Sequence, residues 1–457
     1  MRTSWPPRKG AALTDPNPAS NPELDTQAHT PPRERHGPDA ATLLRDPALI
    51  RTRCAAIAHA VGAGRSANFK LDRSRLADVA RRVEQVTRAA YPDLRIPYHS
   101  RWRHFEAGGI DRKAEMDTLM SGMNTFDQAR ARIDLSVVSV LLDAGAGPAW
   151  QFSEAPSGQA FSRSEGLGVA SFRAFLSGAF SAVPGEPLRV DASVLRRLDA
   201  TALAALFQAG PNNPMVGLEG RAALLQRLGE ALQQQAALHG TVARPAALFD
   251  ALTKFDTAVD TDAGMRREIS AAAVLRALLD SFASIWLTGS VLHGVPLGDV
   301  WPHRWAGGED PMAGRHGTTA GWVPFHKLSQ WLAYSLLEPF EWAGITVHGL
   351  DALTGLPEYR NGGLLIDGGV IVPRDGSALS RPWKVSDEFI IEWRALTVTL
   401  IDELAPLVRE RLDRTAQQMP LACVLEGGTW AAGRALAREL REGGSPPITI
   451  DSDGTVF

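Results

Sequence analysis

The chain has little cysteine, little tyrosine, no surplus of either charge and no long apolar run. Its two cysteines, Cys54 and Cys423, stand far apart in apolar settings ("RTRCAAIAHA" and "LACVLEGG"). That fits two buried thiols better than a disulfide framework or a zinc site. With 48 Lys and Arg against 51 Asp and Glu, the net charge is -3. Nothing global draws the chain to duplex DNA or to an acidic membrane, so no nucleic-acid or membrane partner is expected. No run of about 18 apolar residues is present, and the start "MRTSWPPRKG" lacks an apolar signal core, so a soluble, cytoplasmic protein is expected. The sequence leaves the oligomeric state open.

What is present is a helical texture. Residues 1 to 40 are rich in Pro, Asn, Thr and charge with almost nothing to bury, and are expected to be a disordered arm. From 41 to 457 the pattern reads as a single large, mostly helical domain. Leu76, Val79, Val83 and Val86 recur at three-and-four spacing, and further helices are expected over 168–180, 192–208, 219–237, 269–287, 325–338 and 387–413. Strand signals are sparse. "GLLIDGGVIVP" and "ITIDSDGTVF" read as hairpin candidates. The fold class is mainly α with small β-hairpins.

Four stretches could carry chemistry. "IPYHSRWRHF" concentrates Tyr98, His99, Arg101, Arg103 and His104 beside Trp102 and Phe105, although the chain has only four tyrosines and 11 histidines. Those donors could hold an anionic or hydroxyl-rich ligand, or equally join two helices and pair with carboxylates. A Gly- and Pro-rich segment carries His293, Trp301, His303, Arg304, Trp305, His316, Trp322 and His326, and long irregular segments of this kind tend to line pockets. It runs into a helix whose Lys327, Gln330, Trp331 and Tyr334 share one face. Glu358, Tyr359 and Arg360 precede "NGG", and Glu388, Glu392 and Arg394 lie on one long helix. A solvated charged face is the plain alternative for that helix. Neither GxxxxGK[ST] nor GxGxxG is present in the required context, and no HExxH or cysteine pair supports His99 and His104 as metal ligands, so no metal and no cofactor is expected.

The strings "YPDLRIPYHSRWRHFEAGG", "LLDAGAGPAWQF", "RSEGLGVASFRAFLSGAFS", "VPFHKLSQWLAYSLLEP" and "GLPEYRNGGLLID" resemble, over nearly the whole ordered length, a protein family of fungi and bacteria linked to uracil catabolism. The resemblance implies a pathway, degradation of uracil through a ring-opened ribosyl intermediate, without naming the reaction. More remotely, "VPFHKLSQWL", "LPEYRNGG" and "EFIIEWRAL" are similar, in chain order, to three motifs of the queuosine-salvage nucleotide N-glycosidases, which implies a helical DNA-glycosylase-like domain. On that resemblance Lys327 stands at the pocket lysine, Glu358 where that family has its catalytic aspartate, Arg360 at the arginine that follows, and Glu392 and Arg394 at its Glu-x-Arg pair. The carboxylate at 358 is one methylene longer than the family pattern.

Cleaving an N-glycosidic bond passes through a ribosyl cation-like state. Glu358 is expected to stabilise the cation and take the proton of the attacking water, with Lys327 as its cationic partner. Arg360 and Arg394 are expected on a phosphate or ribose edge, with Glu392 orienting Arg394. Trp322, His326, Gln330 and Tyr359 would line the base-like end, and Tyr98, His99, Arg101 and His104 the anionic end. The expected partner is a small ribosyl or nucleotide-derived substrate such as ribosylurea. A metal-dependent amidohydrolase acting on a ureido compound and a non-catalytic pathway scaffold remain the alternatives.

Overall fold

Apolar spacing turns into helices almost throughout the computed structural model, which describes residues 40–143, 145–254, 258–261, 264–286, 290–292, 294–307 and 319–451, the side chains of 258–261 and 264–266 excepted. The expected arm at 1–40 lies outside the described residues apart from Ala40, as do His293 and His316. Asp39–Phe457 forms one compact unit, mainly helical with small sheets. No helix among the described residues is long and apolar enough to cross a membrane.

Leu76, Val79 and Val83 do bury one stripe of the helix Leu76–Ala90, which lies against the long helix Glu388–Leu412. The latter also packs on Pro47–Gly62, whose N-terminus is capped by the Asp46 carboxylate. Thr125–Leu141 and Lys327–Trp342 form a second buried pair.

The first hairpin expectation is corrected. "GGLLID" belongs to the helix Tyr359–Asp367, and its following Gly-Gly is a helix stop: Gly368 ends the helix and Gly369 takes φ +75°. Ile371–Pro373 then pairs antiparallel with the distant Phe69–Leu71. At the C-terminus, Thr449–Asp451 runs parallel to Pro382–Lys384, and the rest of the second expected hairpin, 452–457, lies outside the described residues. The apolar run after Gly369 is extended as expected, but its partner lies too far along the chain for a local turn signal to reveal.

"IPYHSRWRHF" docks along the Lys327 helix. Pro339, in that helix, has no N–H to give Ser335, and the Trp102 indole N–H donates to the Ser335 carbonyl at 3.1 Å in its place. The Ser335 hydroxyl accepts the Arg101 backbone N–H at 2.9 Å. Ser100 and Arg103 both donate to Glu338, at 2.6 and 2.9 Å. Tyr98 donates to Glu341 at 3.0 Å.

Candidate active site

Lys327 opens its helix directly after His326, a non-glycine residue in the left-handed region (φ 48°, ψ 39°). Such a conformation costs of the order of 1–3 kcal/mol and persists only where its surroundings hold it. Here the surroundings are visible. Asp299 accepts the Lys327 backbone N–H at 2.9 Å through its carboxylate, while its carbonyl accepts the backbone N–H of Phe325 and of His326 at 2.9 and 3.3 Å. The same carboxylate takes both Arg394 Nη1 and Nη2 at 2.7 Å and the Trp301 indole at 2.6 Å. Burial alone would raise Asp299, but Arg394 and the other donors hold it below the ordinary aspartate range.

Glu358 caps the helix Tyr359–Asp367. Its two oxygens accept the backbone N–H groups of Arg360 and Asn361 at 2.7 and 2.6 Å. The loop that delivers it is fixed by Gln330, whose amide donates to the Thr354 hydroxyl at 2.6 Å and accepts the Thr354 N–H at 3.2 Å, and by Tyr334, which donates to the Thr354 carbonyl at 3.0 Å. Burial pushes the Glu358 carboxyl above the usual glutamate range, against the two capping N–H groups and the charges of Lys327 and His99. Burial also pulls Lys327 below the usual lysine range, opposed by Glu358 and Asp143. The two residues therefore act on one another, each suppressing part of the other's burial penalty.

His99 Nδ1 lies 2.7 Å from Glu426 Oε2, and the Tyr91 hydroxyl donates to Glu426 Oε1 at 3.2 Å. Glu426 sits in a π-turn, Leu425–Thr429, between the helices Leu421–Val424 and Trp430–Leu440. Single π-turns of this kind recur at functional sites. Although burial opposes it, the His99 hydrogen bond and charge hold Glu426 below the usual glutamate range, so it is ionised. His104 is neutral: burial, then the charge of Arg101, push its imidazole down to about 3. Arg101 itself is fully buried, with Nη1 2.9 Å from Asp143 Oδ1, which also accepts the Ser164 hydroxyl at 2.6 Å. Its guanidinium carbon lies 5.5 Å from the Trp331 ring, and the His104 ring lies edge-on to Trp331 at 5.6 Å. Lys327, Tyr359, His99, His104 and Glu426 are half-buried, neither sealed in the core nor on the open surface.

The expected site residues thus divide. Lys327, Glu358, Tyr359, His99, Arg101 and His104 come together. The rest have other partners. Arg394 is bound to Asp299 rather than oriented by Glu392, and Glu392 accepts the hydroxyl of Ser66 and, at 3.3 Å, the amide of Asn68. Arg360 donates to the Gly444 carbonyl at 3.0 Å, with its guanidinium carbon 5.0 Å from the Tyr359 ring. Tyr98 is at Glu341, fourteen residues and so about 21 Å along the helix from Lys327. Trp322 packs with Leu44, Leu297 and Val300 in a separate small cluster, the His326 imidazole meets the Leu44 carbonyl at 2.9 Å, and Gln330 is the loop clamp. His303 and Arg304 line a recess of about 450 Å³ with Gly321, Ser386 and Glu388. Among the described residues no group of three or more His, Cys, Asp or Glu could hold a metal ion.

Asp143, Asp299 and Glu426 were not singled out by sequence reasoning. Only the fold shows which carboxylates face inward.

Residues 43–457 match the family described as protein of unknown function DUF1688. The chain belongs to that family. Among its relatives, uracil catabolism protein 4 of Lachancea kluyveri is 38% identical over 421 residues, covering 86% of this chain and 93% of that protein. Protein urg3 of Schizosaccharomyces pombe is 37% identical over 397 residues, covering 85% and 92%. The family match spans all of these residues, from His99 to Glu426.

Proposed function

We propose that this protein acts in uracil catabolism as a hydrolase that cleaves the N-glycosidic bond of a uracil-derived ribosyl compound, of which ribosylurea or its 5′-phosphate is the simplest. The pathway rests on the relative named uracil catabolism protein 4, which this chain matches over 93% of its length. The reaction is supported by one arrangement: Glu358, held by the Arg360 and Asn361 N–H groups, and Lys327, 31 positions away in the sequence, are placed so that the charge of each acts on the other.

In this reading the ribose lies with its anomeric carbon toward Glu358. The carboxylate is held by two backbone N–H groups, so it faces the sugar without a rotamer search, and it takes the proton of a water that attacks C1′. Positive charge develops on the ring as the C–N bond lengthens, and the low dielectric around Glu358 strengthens its attraction for that charge. Lys327 keeps Glu358 ionised and holds a sugar oxygen. Tyr359, His99 and His104 supply polar contacts, and Trp331 closes one wall.

The test is product analysis. Purified protein incubated with ribosylurea and, separately, its 5′-phosphate releases urea and the free sugar or sugar phosphate in equal amounts. Release of ammonia with the glycosidic bond intact would instead make the protein an amidohydrolase.

A further inference from the structure

We propose that His99, oriented by Glu426, is the general acid that protonates the departing nitrogen. This rests on the N-glycosidase reading above. The two side chains are 2.7 Å apart and only 12% and 16% exposed, a charge-assisted contact sheltered from competing water. An ionised carboxylate accepts from Nδ1–H, which fixes the ring and leaves Nε2 as the nitrogen that works on a ligand. Among the described residues Nε2 has no hydrogen-bond partner, and it is not one of the buried unpaired atoms. The backbone is fixed as well, since the His99 N–H donates to the Ala422 carbonyl at 3.0 Å.

The π-turn gives the dyad its place. It lies against the helix that Glu358 caps, and the helix that follows it packs so closely there that a side-chain carbon on Gly433 would collide with the Arg360 carbonyl. Glu426 and Glu358 are thus carried on neighbouring elements, and the charge of His99 acts on both carboxyl groups. An acid and a base on two neighbouring elements is the division of labour that hydrolysis of a poor leaving group requires.

The step balances as follows. As C1′–N breaks, its electron pair stays on nitrogen, and the His99 imidazolium gives its Nε2 proton to that nitrogen. Water adds to C1′ and gives one proton to Glu358. Return of that proton from Glu358 to His99 through solvent restores the starting state. Glu426 touches no reacting atom; it is a positioning residue that stabilises the imidazolium.

The test uses two ribosides, ribosylurea and 4-nitrophenyl β-riboside, whose phenolate leaves without a proton. His99→Gln should slow ribose release from ribosylurea about 100- to 10,000-fold and nitrophenol release far less. Glu426→Gln should show the same leaving-group pattern at smaller size, which a merely structural role would not produce. Added imidazole should restore part of the ribosylurea activity of His99→Gly. Equal loss on both substrates in variants that melt like the wild type would overturn the assignment and leave the N-glycosidase reading intact. A wild-type protein that releases ribose from neither substrate would overturn both.

Discussion

Asp299 and Arg394 meet through two hydrogen bonds of 2.7 Å, with the arginine side chain fully buried and the aspartate 5% exposed, and the same carboxylate fixes the first turn of the Lys327 helix. Removing one partner of a buried pair leaves the other charge stranded, which costs about 3–5 kcal/mol. Asp299→Ala should therefore lower the unfolding free energy by about that amount, measured by urea denaturation at neutral pH. Because Asp299 titrates below its ordinary value of 3.8, its contribution is complete above that value and is lost as pH falls through the folded-state pKa. A loss under about 1 kcal/mol, the range of an exposed pair, would contradict this role.

Trp102→Phe tests how the opening motif is docked. The ring volume is largely kept, but the buried Ser335 carbonyl, already without its helical donor because of Pro339, loses the indole N–H. The expected cost is about 1–3 kcal/mol, seen as a lower midpoint with an unchanged denaturant slope. An unchanged midpoint would mean that the carbonyl is satisfied in some other way.

A third prediction concerns pH. Burial lifts Glu358 above its ordinary 4.5 while Lys327 pulls it back. If Glu358 works as the ionised base, activity falls on the acid side as it protonates, at a pH above the usual glutamate range. Lys327→Met removes the opposing cation, so the acid limb of kcat/KM should move to higher pH. An unmoved limb, or one displaced to lower pH, would separate the two residues.

The π-turn offers a fourth. A side-chain carbon on Gly428 would stand 2.7 Å from the Val83 carbonyl oxygen and 2.6 Å from the Thr87 hydroxyl oxygen. Gly428→Ala should cost about 1–3 kcal/mol as an overpacked site, and should lower kcat by displacing Glu426 two residues away. Wild-type kcat in the folded variant would show that the turn does not set the geometry of the site.

Much of this was legible in the sequence, and what was not has a physical reason. The helices announced themselves through spacing, as Leu76, Val79 and Val83 show, and the "VPFHKLSQWLAY" and "LPEYRNGG" strings single out Lys327 and Glu358, whose charges act on one another in the fold. Arg394 and Arg360 were harder. Their chemistry as phosphate clamps is sound in isolation, but whether a buried guanidinium faces a ligand or a partner depends on Asp299, 95 positions away, or on the Gly444 carbonyl, 84 away. The expected common face of the Lys327 helix also divides: Gln330 and Tyr334 grip Thr354, whereas Trp331 turns to Arg101 and His104. Helical periodicity tells which residues are neighbours, not which partner each of two adjoining stripes meets. Glu426 stayed hidden because a π-turn has no sequence signature beyond its Gly-Gly, and because its partner His99 lies 327 positions earlier.

The central claim comes down to the rate at which Glu358→Gln releases ribose from ribosylurea, measured beside the wild type with melting temperatures matched to confirm folding. Glutamine keeps an oxygen for one capping N–H but cannot accept the proton of water, so the account predicts a loss of at least about 100-fold in kcat with little change in KM. A variant that turns over at close to the wild-type rate would remove Glu358 from the chemistry and with it the proposed reaction.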